Sequence, residues 1–386
     1  MTIDTLLTWR KEFPILSNTT YLISHSLGAM PRRTADSLQQ FADTWATRGI
    51  RAWEEGWWEM PVRVGNLIGS IIGAGPGEVA MHQNVSVCQS IVTSCFDWSG
   101  RRNRLVTDGL NFPSNDYIYF GLERQGARVH RVPSPDSMTL PLEDMLAAID
   151  EETQLVSVSH VAFRSSFVQD IAAITRKAHS VGAMVIADVY QSAGILPVDV
   201  RAWDVDFVTG GSVKWLCGGP GAGYLYVRRD LRAKLEPAAT GWVAHRAPFE
   251  FEAGPIEFAD DVFRFLNGTP GIPALYSART GYEIVGQVGL EAIRAKSIRQ
   301  TQRLIDLADD AEIAVRSCRD VQTRGGVVVL DVANGKEITR ELARREILVD
   351  YRPGAGIRIA PHFYSADEEL DYAISQIRSI AHAQPS

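Results

Sequence analysis

The sequence predicts an α/β fold, with a mostly parallel central sheet flanked by helices and a smaller C-terminal α+β domain. Three observations carry that reading. From about residue 80 to 270, short apolar runs alternate with helical stretches, the order that builds a parallel sheet. Two of the runs, Ala183-Met-Val-Ile-Ala187 and Tyr224-Leu-Tyr-Val227, are apolar on both faces, as strands covered by helices are. Beyond a long helical stretch near 274–308, one apolar run and a final amphipathic stretch stand apart from the alternation.

Taken in order, an extended N-terminal segment runs to the turn Gly28-Ala-Met-Pro31. Leu38, Phe41, Ala42 and Trp45 then recur at i, i+3, i+4 and i+7, one face of a helix. Val64, Leu67, Ile68, Ile71 and Ile72 repeat the pattern in a second helix, which Gly73-Ala-Gly-Pro-Gly77 stops. Leu105-Val-Thr and Leu155-Val-Ser-Val-Ser read as strands, the latter leading into a helix over 171–181. Val327-Val-Val-Leu-Asp-Val332 reads as a strand of the C-terminal unit. Leu370, Ala373, Ile374, Ile377 and Ile380 give the last helix one apolar face. The expected partition is an arm over 1–35, a large domain over 36–285 and a small domain over 286–386.

Composition narrows the function. With 46 acidic and 39 basic residues and no block of like charge, there is no concentrated basic patch, so no nucleic-acid partner is expected. No window approaches eighteen uninterrupted apolar residues, so no membrane span is expected. The opening Met-Thr-Ile-Asp carries an acid where a signal peptide has a basic head. Cys88, Cys95, Cys217 and Cys318 are scattered without Cys-x-x-Cys spacing, which points to reduced thiols and a cytoplasmic protein. The eight histidines show no metal-site spacing, so no metal is expected.

The chemistry lies in two segments. In Ala183-Met-Val-Ile-Ala-Asp-Val-Tyr-Gln191 a buried strand ends in the carboxylate of Asp188, and ligands of open α/β sheets sit at strand carboxyl ends. In Asp206-Phe-Val-Thr-Gly-Gly-Ser-Val-Lys214 a strand ends in a small-residue turn carrying Lys214 between Val213 and Trp215. Apolar company lowers a lysine's pKa and frees its amine as a nucleophile. The following Gly218-Gly-Pro-Gly-Ala-Gly223 is no nucleotide loop, because the lysine precedes it. Alone, Asp188 reads as a turn or helix cap and Lys214 as a surface residue. Together and in this order they are the pair that pyridoxal phosphate requires, an amine for its aldehyde and an acid for its pyridine nitrogen.

The chain resembles the kynureninases, within the class V, fold-type I pyridoxal-phosphate enzymes, over nearly its whole length. The likeness is carried by Tyr21-Leu, Ser26-Leu-Gly28, Arg51-Ala-Trp53, Gly56-Trp-Trp58, Phe112-Pro-Ser114, Asp170-Ile-Ala-Ala-Ile-Thr175, Gly241-Trp242, Gly268-Thr-Pro270, Arg294-Ala-Lys-Ser297, Asp350-Tyr-Arg-Pro353 and Ile357-Arg358. It implies that Lys214 holds pyridoxal phosphate as a Schiff base, that Asp188 pairs with the pyridine nitrogen and that Phe112 stacks on the ring. It implies further that the Val85 main chain and Ser86 take the phosphate at a helix N-terminus. Ser159, Ser212, Asn115 and Gln191 are expected in the cofactor shell. Trp242 and Thr269 match residues that reach the phosphate of a neighbouring subunit, which implies a homodimer with shared sites. Arg358 matches the arginine that grips the substrate carboxylate. Trp53, His25 and Tyr190 are expected near the substrate. Each has a plainer reading: Ser86 and Ser159 as caps, Phe112, Trp53 and Trp242 as core or interface aromatics, Arg358 as an ion-pair partner.

The chain departs from kynureninases at three places. Val213 stands where they carry a tyrosine before the lysine, Asn115 where they have aspartate, and Gln191 where they have histidine. Gln191 is more like the cysteine-desulfurase branch, but Cys318 sits far in sequence from the Arg358 region where that branch needs its thiol. The cofactor shell is thus kept and the acid–base shell altered, with Tyr190, Tyr226 and His25 as possible replacement acids. The expected function is hydrolytic Cβ–Cγ cleavage of kynurenine or a related amino acid. The alternatives are a class V aminotransferase or β-eliminating lyase, and, from another class, a non-catalytic pyridoxal-phosphate-binding regulator.

Overall fold

The computed structural model describes residues 4–383; the outermost residues of the expected arm and small domain, 1–3 and 384–386, lie outside them. In chain order the strands are β1 (Thr20–Tyr21), β2 (Val79–His82), β3 (Arg104–Asp108), β4 (Arg128–Val132), β5 (Thr153–Ser159), β6 (Met184–Asp188), β7 (Phe207–Gly211), β8 (Gly223–Val227), β9 (Ala314–Val315), β10 (Val328–Asp331), β11 (Ile347–Leu348), β12 (Asp350–Arg352) and β13 (Gly356–Ile359). The α-helices are α1 (Arg33–Arg48), α2 (Met60–Ile72), α3 (Val85–Thr93), α4 (Pro113–Leu122), α5 (Leu142–Ala147), α6 (Ile171–Ser180), α7 (Ile272–Val288), α8 (Leu290–Asp310), α9 (Gly335–Arg344) and α10 (Asp367–Ala383). None is long and apolar enough to cross a membrane.

The apolar runs form one seven-stranded sheet in the order β2-β8-β7-β6-β5-β3-β4. Strands β3 to β7 run parallel, and β8 and β2 close one edge antiparallel. Side chains alternate across the strands. Leu105, Leu155, Ile186, Phe207 and Leu225 therefore pack on one face with Ile91 and Tyr119. Val106, Val156, Val185, Val208 and Tyr224 pack on the other with Ile68, Ile174 and Ile284. Both faces are covered, which is why these strands read as unbroken apolar runs. The parallel arrangement brings the carboxyl ends of β3, β5, β6 and β7 to one edge. That edge carries Asp108, Ser159, Asp188 and the turn bearing Lys214.

The C-terminal strands form a separate antiparallel sheet, β12-β13-β10-β9. Val328, Leu330, Ile357 and Ile359 pack there against Leu304 and Ile305 of α8, Leu342 of α9 and Leu370, Ala373 and Ile377 of α10. The N-terminal segment ties this part to the first sheet. Strand β1 pairs in parallel with β11, Ile23 bridges to Ala360, and the Gly28 amide donates to the Val213 carbonyl at 2.8 Å. Gly28 has no side chain because a Cβ there would lie 2.1 Å from the Lys214 carbonyl oxygen.

One expectation fails. The long helix near 274–308 is two helices, α7 and α8, broken at Gly289, whose φ of +85° is open to glycine at little cost. The stripe of α1 is divided: Phe41 packs on the core beside Trp57 and Tyr276, with ring centres 5.5 and 5.7 Å away. Thr34 and Ser37 are the buried residues of α1, while Leu38 and Trp45 are exposed.

Candidate active site

Lys214 lies just past β7, in a cavity of about 230 Å³ at the carboxyl edge of the sheet. Its walls include Asn84, Val85, Ser86, Phe112, Ser114, Asn115, Ser159, Val161, Phe163, Asp188, Tyr190 and Gln191. The lysine's amine has no hydrogen-bond partner among the described residues. It rests 4.3 Å from the centre of the Tyr190 ring and 5.8 Å from that of Phe112. Burial, first of all, lowers its pKa to about 8, with Arg358 and Arg352 adding to the effect and Asp188 and Asp350 opposing it. About a tenth of the amine is therefore free and nucleophilic at pH 7, far more than for a lysine at its ordinary value of about 10.4.

Asp188 sits across the cavity and is held on both oxygens. Its Oδ1 accepts from the Tyr190 amide at 2.8 Å and its Oδ2 from Asn115 Nδ2 at 2.9 Å. Burial raises its pKa, while these two donors and Lys214 pull it back. The Asn115 amide also donates to Asn111 Oδ1 at 3.0 Å, and the same oxygen accepts from Ser159 Oγ at 2.9 Å and the Phe112 amide at 2.9 Å. An amide at position 115 can donate to the Asp188 carboxylate, which an ionised aspartate there cannot. The departure at 115 thus supports a charged Asp188.

At the far wall α3 begins. Asn84 caps it, accepting from the Val87 amide at 3.0 Å, and Val85 and Ser86 form its first turn. Gly223 of β8 permits this packing, since a Cβ there would lie 2.7 Å from the Asn84 carbonyl carbon. Phe112 is 47% exposed, with its ring edge-on to Phe163 at 5.1 Å. The cavity therefore offers an unpartnered amine, a fixed acid, a bare aromatic face and a helix N-terminus. That donor set fits pyridoxal phosphate.

Arg358, on β13, is 2% exposed. Its Nε donates to Asp350 Oδ1 at 2.7 Å, its Nη2 to Asp350 Oδ2, and its Nη1 to the Phe163 carbonyl. Two of its five N–H groups stay uncommitted. Asp350 also meets His25 Nε2 at 3.1 Å and Arg352 at 3.2 Å; although burial pushes its carboxyl up, His25 and Arg358 hold it well below the usual range. Burial lowers His25 to about 4, so its ring is neutral.

Several expected residues stand elsewhere. Ser212 does not line the cavity, because its hydroxyl donates to the Ala222 carbonyl at 2.7 Å and meets the Tyr282 hydroxyl. Gln191 does line it, but its amide is used: Nε2 donates to the His25 carbonyl and Oε1 accepts from Trp215 Nε1, both at 3.2 Å. His25 lies behind the wall, against Asp350. Trp53, Trp242 and Thr269 lie together in a second cavity of about 730 Å³, with Trp58, Phe249 and Phe251. Sequence reasoning missed Asn84, Phe163 and Asp350. Asn84 had a readable signal, an N-cap residue between a strand and an apolar helix.

Known proteins agree with this architecture. The family described as Aminotransferase class-V matches residues 21–360. An uncharacterized aminotransferase, YcbU, of Bacillus subtilis is 31% identical over 96% of each chain. A kynureninase of Pseudomonas fluorescens is 30% identical over 90% of this chain and 86% of its own. Among solved structures, a cysteine desulfurase of Thermococcus onnurineus superposes with a TM-score of 0.87 at 19% identity, covering 98% of both chains. A C-DES variant with glycine covalently linked to its PLP cofactor gives 0.86 at 19% identity, over 96% of this chain and 98% of its own. The architecture is the fold-type I pyridoxal-phosphate transferase fold. The chain belongs to the class-V aminotransferase family, and its cofactor is pyridoxal 5′-phosphate.

Proposed function

We propose that this protein is a cytoplasmic homodimeric enzyme that cleaves the Cβ–Cγ bond of kynurenine or a close relative by hydrolysis. The observation that carries the catalytic part is the unpartnered Lys214 amine facing Asp188 across an aromatic-walled cavity. Kynureninases at about 30% identity over most of the chain support the choice of reaction. So do the flat apolar walls of Phe112, Phe163 and Val161, which suit an aromatic side chain.

The residues divide the work as follows. Bound pyridoxal phosphate supplies an aldehyde for amines and an electron-withdrawing ring. Lys214 would hold it covalently and Asp188 would accept a hydrogen bond from its ring nitrogen, with Asn115 steadying that carboxylate. Phe112 would cover one ring face, Ser159 would border it, and Val85 and Ser86 would receive the phosphate. The free N–H pair of Arg358 would take the substrate carboxylate. Gln191, tied at both ends, would fix the wall rather than transfer protons, and His25 would orient Asp350. Trp242 and Thr269 would serve the site of the second subunit, with Trp53 at the same interface. The exposed Leu38, Trp45, Ile50, Phe249 and Phe251 support such an interface, since a chain on its own rarely leaves so much apolar surface bare.

A second reading is an aminotransferase, favoured by the 31% identity to the Bacillus subtilis aminotransferase. Incubation of the cofactor-loaded protein with kynurenine and with 3-hydroxykynurenine separates the two. Fluorescent anthranilate or its hydroxy derivative, with alanine in equal amount, is the expected result. Absence of both, with a keto acid formed when a second keto acid is supplied, would transfer the assignment to the aminotransferase reading.

A further inference from the structure

We propose that Tyr190 is a catalytic residue of this site, its ring a shelf for the Lys214 amine and its hydroxyl the proton donor to substrate. The role deepens the reading of the preceding subsection and rests on it. Val213 leaves no acid beside the lysine, so a donor must come from elsewhere. Of the tyrosines and histidines near the sheet edge, the geometry favours one. Tyr226 is on β8, paired with Val79 and close to Arg201 and Glu78, and does not line the cavity. His25 is committed to Asp350.

Tyr190 lines the cavity, and its ring centre is 4.3 Å from Lys214 Nζ. Its amide is pinned to Asp188, so its backbone moves with the acid that faces the cofactor. Its hydroxyl has no hydrogen-bond partner among the described residues. The ring is accommodated by Gly211 of β7, where a Cβ would lie 2.5 Å from Tyr190 Cζ and 2.6 Å from its hydroxyl. A residue with any side chain at 211 would expel the phenol, so the strand is built around it. Burial lifts the phenol to about 12, which keeps it protonated and makes it an acid rather than a base. In the step, the Tyr190 O–H bond breaks as a bond to hydrogen forms at the substrate carbon that has lost its former partner. The phenolate then recovers a proton from water, and no electron is transferred overall.

Two measurements test this. In the protein without cofactor, the pH dependence of Lys214 acylation, read by peptide mass, is expected to have its midpoint near 8. Tyr190→Phe should leave it there, and Tyr190→Ala should move it toward the ordinary lysine value of about 10.4 by more than one pH unit. An unmoved midpoint in Tyr190→Ala overturns the shelf. In the loaded protein, deuterium entry from D2O at the methyl carbon of L-alanine, the carbon matching the one freed by cleavage, needs that proton transfer but no side-chain cleavage, so it is independent of the kynurenine assignment. Tyr190→Phe should slow it ~10²–10⁴-fold. Exchange within threefold of the parent protein, or none in the parent protein, overturns the donor role.

Discussion

Lys214→Ala is expected to lose all covalent attachment of pyridoxal phosphate and to lower turnover by more than ~10²–10⁴-fold, the share assigned to proton transfer alone. The loss of the covalent tether comes on top of that share. Borohydride treatment of the loaded parent protein should add the reduced cofactor's mass to the peptide bearing Lys214, and the variant should stay unlabelled. Lys296, another buried lysine, offers no substitute. Its amine is bound to the Phe363 carbonyl at 2.7 Å and to Asp4 at 2.8 Å. Labelling of any other lysine in the variant at the parent's level would remove Lys214 from its proposed place. The fold should be unaffected, because the Lys214 amine makes no hydrogen bond among the described residues.

Asp350→Ala is expected to have the opposite profile, with a large loss of stability. It strips Arg358 of both contacts to carboxylate oxygen and leaves a guanidinium that is 2% exposed with only the Phe163 carbonyl. Removing one partner of a buried pair costs about 3–5 kcal/mol. The urea midpoint should fall accordingly with little change in slope. The pH dependence follows from the depressed pKa of Asp350. Its contribution is complete above the unfolded value of about 3.9 and disappears as pH falls through the lower folded value. The gap between parent and variant should be constant above about pH 5 and narrow in stronger acid. Asp350→Asn keeps one acceptor and should lose less. A variant as stable as the parent at pH 7 would show that Arg358 has another partner.

The strands of the main sheet were legible in the sequence because a buried parallel strand must be apolar throughout. Asp188 and Lys214 were legible because each interrupts such a pattern at its end. What escaped depended on distance along the chain. Asp350 reads locally as one charge among arginines, yet it joins His25, 325 positions away, to Arg358. Ser212 and Gln191 are of the right type and place, but their hydrogen bonds are spent on Ala222, Tyr282, His25 and Trp215. The stripe on α1 was legible as one helical face, but periodicity does not say what covers that face: Phe41 meets the core while Leu38 and Trp45 are exposed. Gly289 lay inside an apolar pattern that looked continuous, and only its positive φ shows the break.

The N-terminal tie has a consequence for biogenesis. The Ala29 amide meets the Tyr364 hydroxyl across 335 residues at 3.3 Å, and Thr19 meets Glu346 across 327 at 3.2 Å. At ~5–20 residues per second, a ribosome takes on the order of 20–80 s to deliver both ends of these contacts. Until then Tyr21, Leu22 and Ile23 lack their partners in β11 and at Ala360. Such long-range closure is slow to form and late in order. Lys214 is therefore synthesised well before the contacts that close over its turn, and under the proposed role cofactor capture is expected to follow completion of the chain.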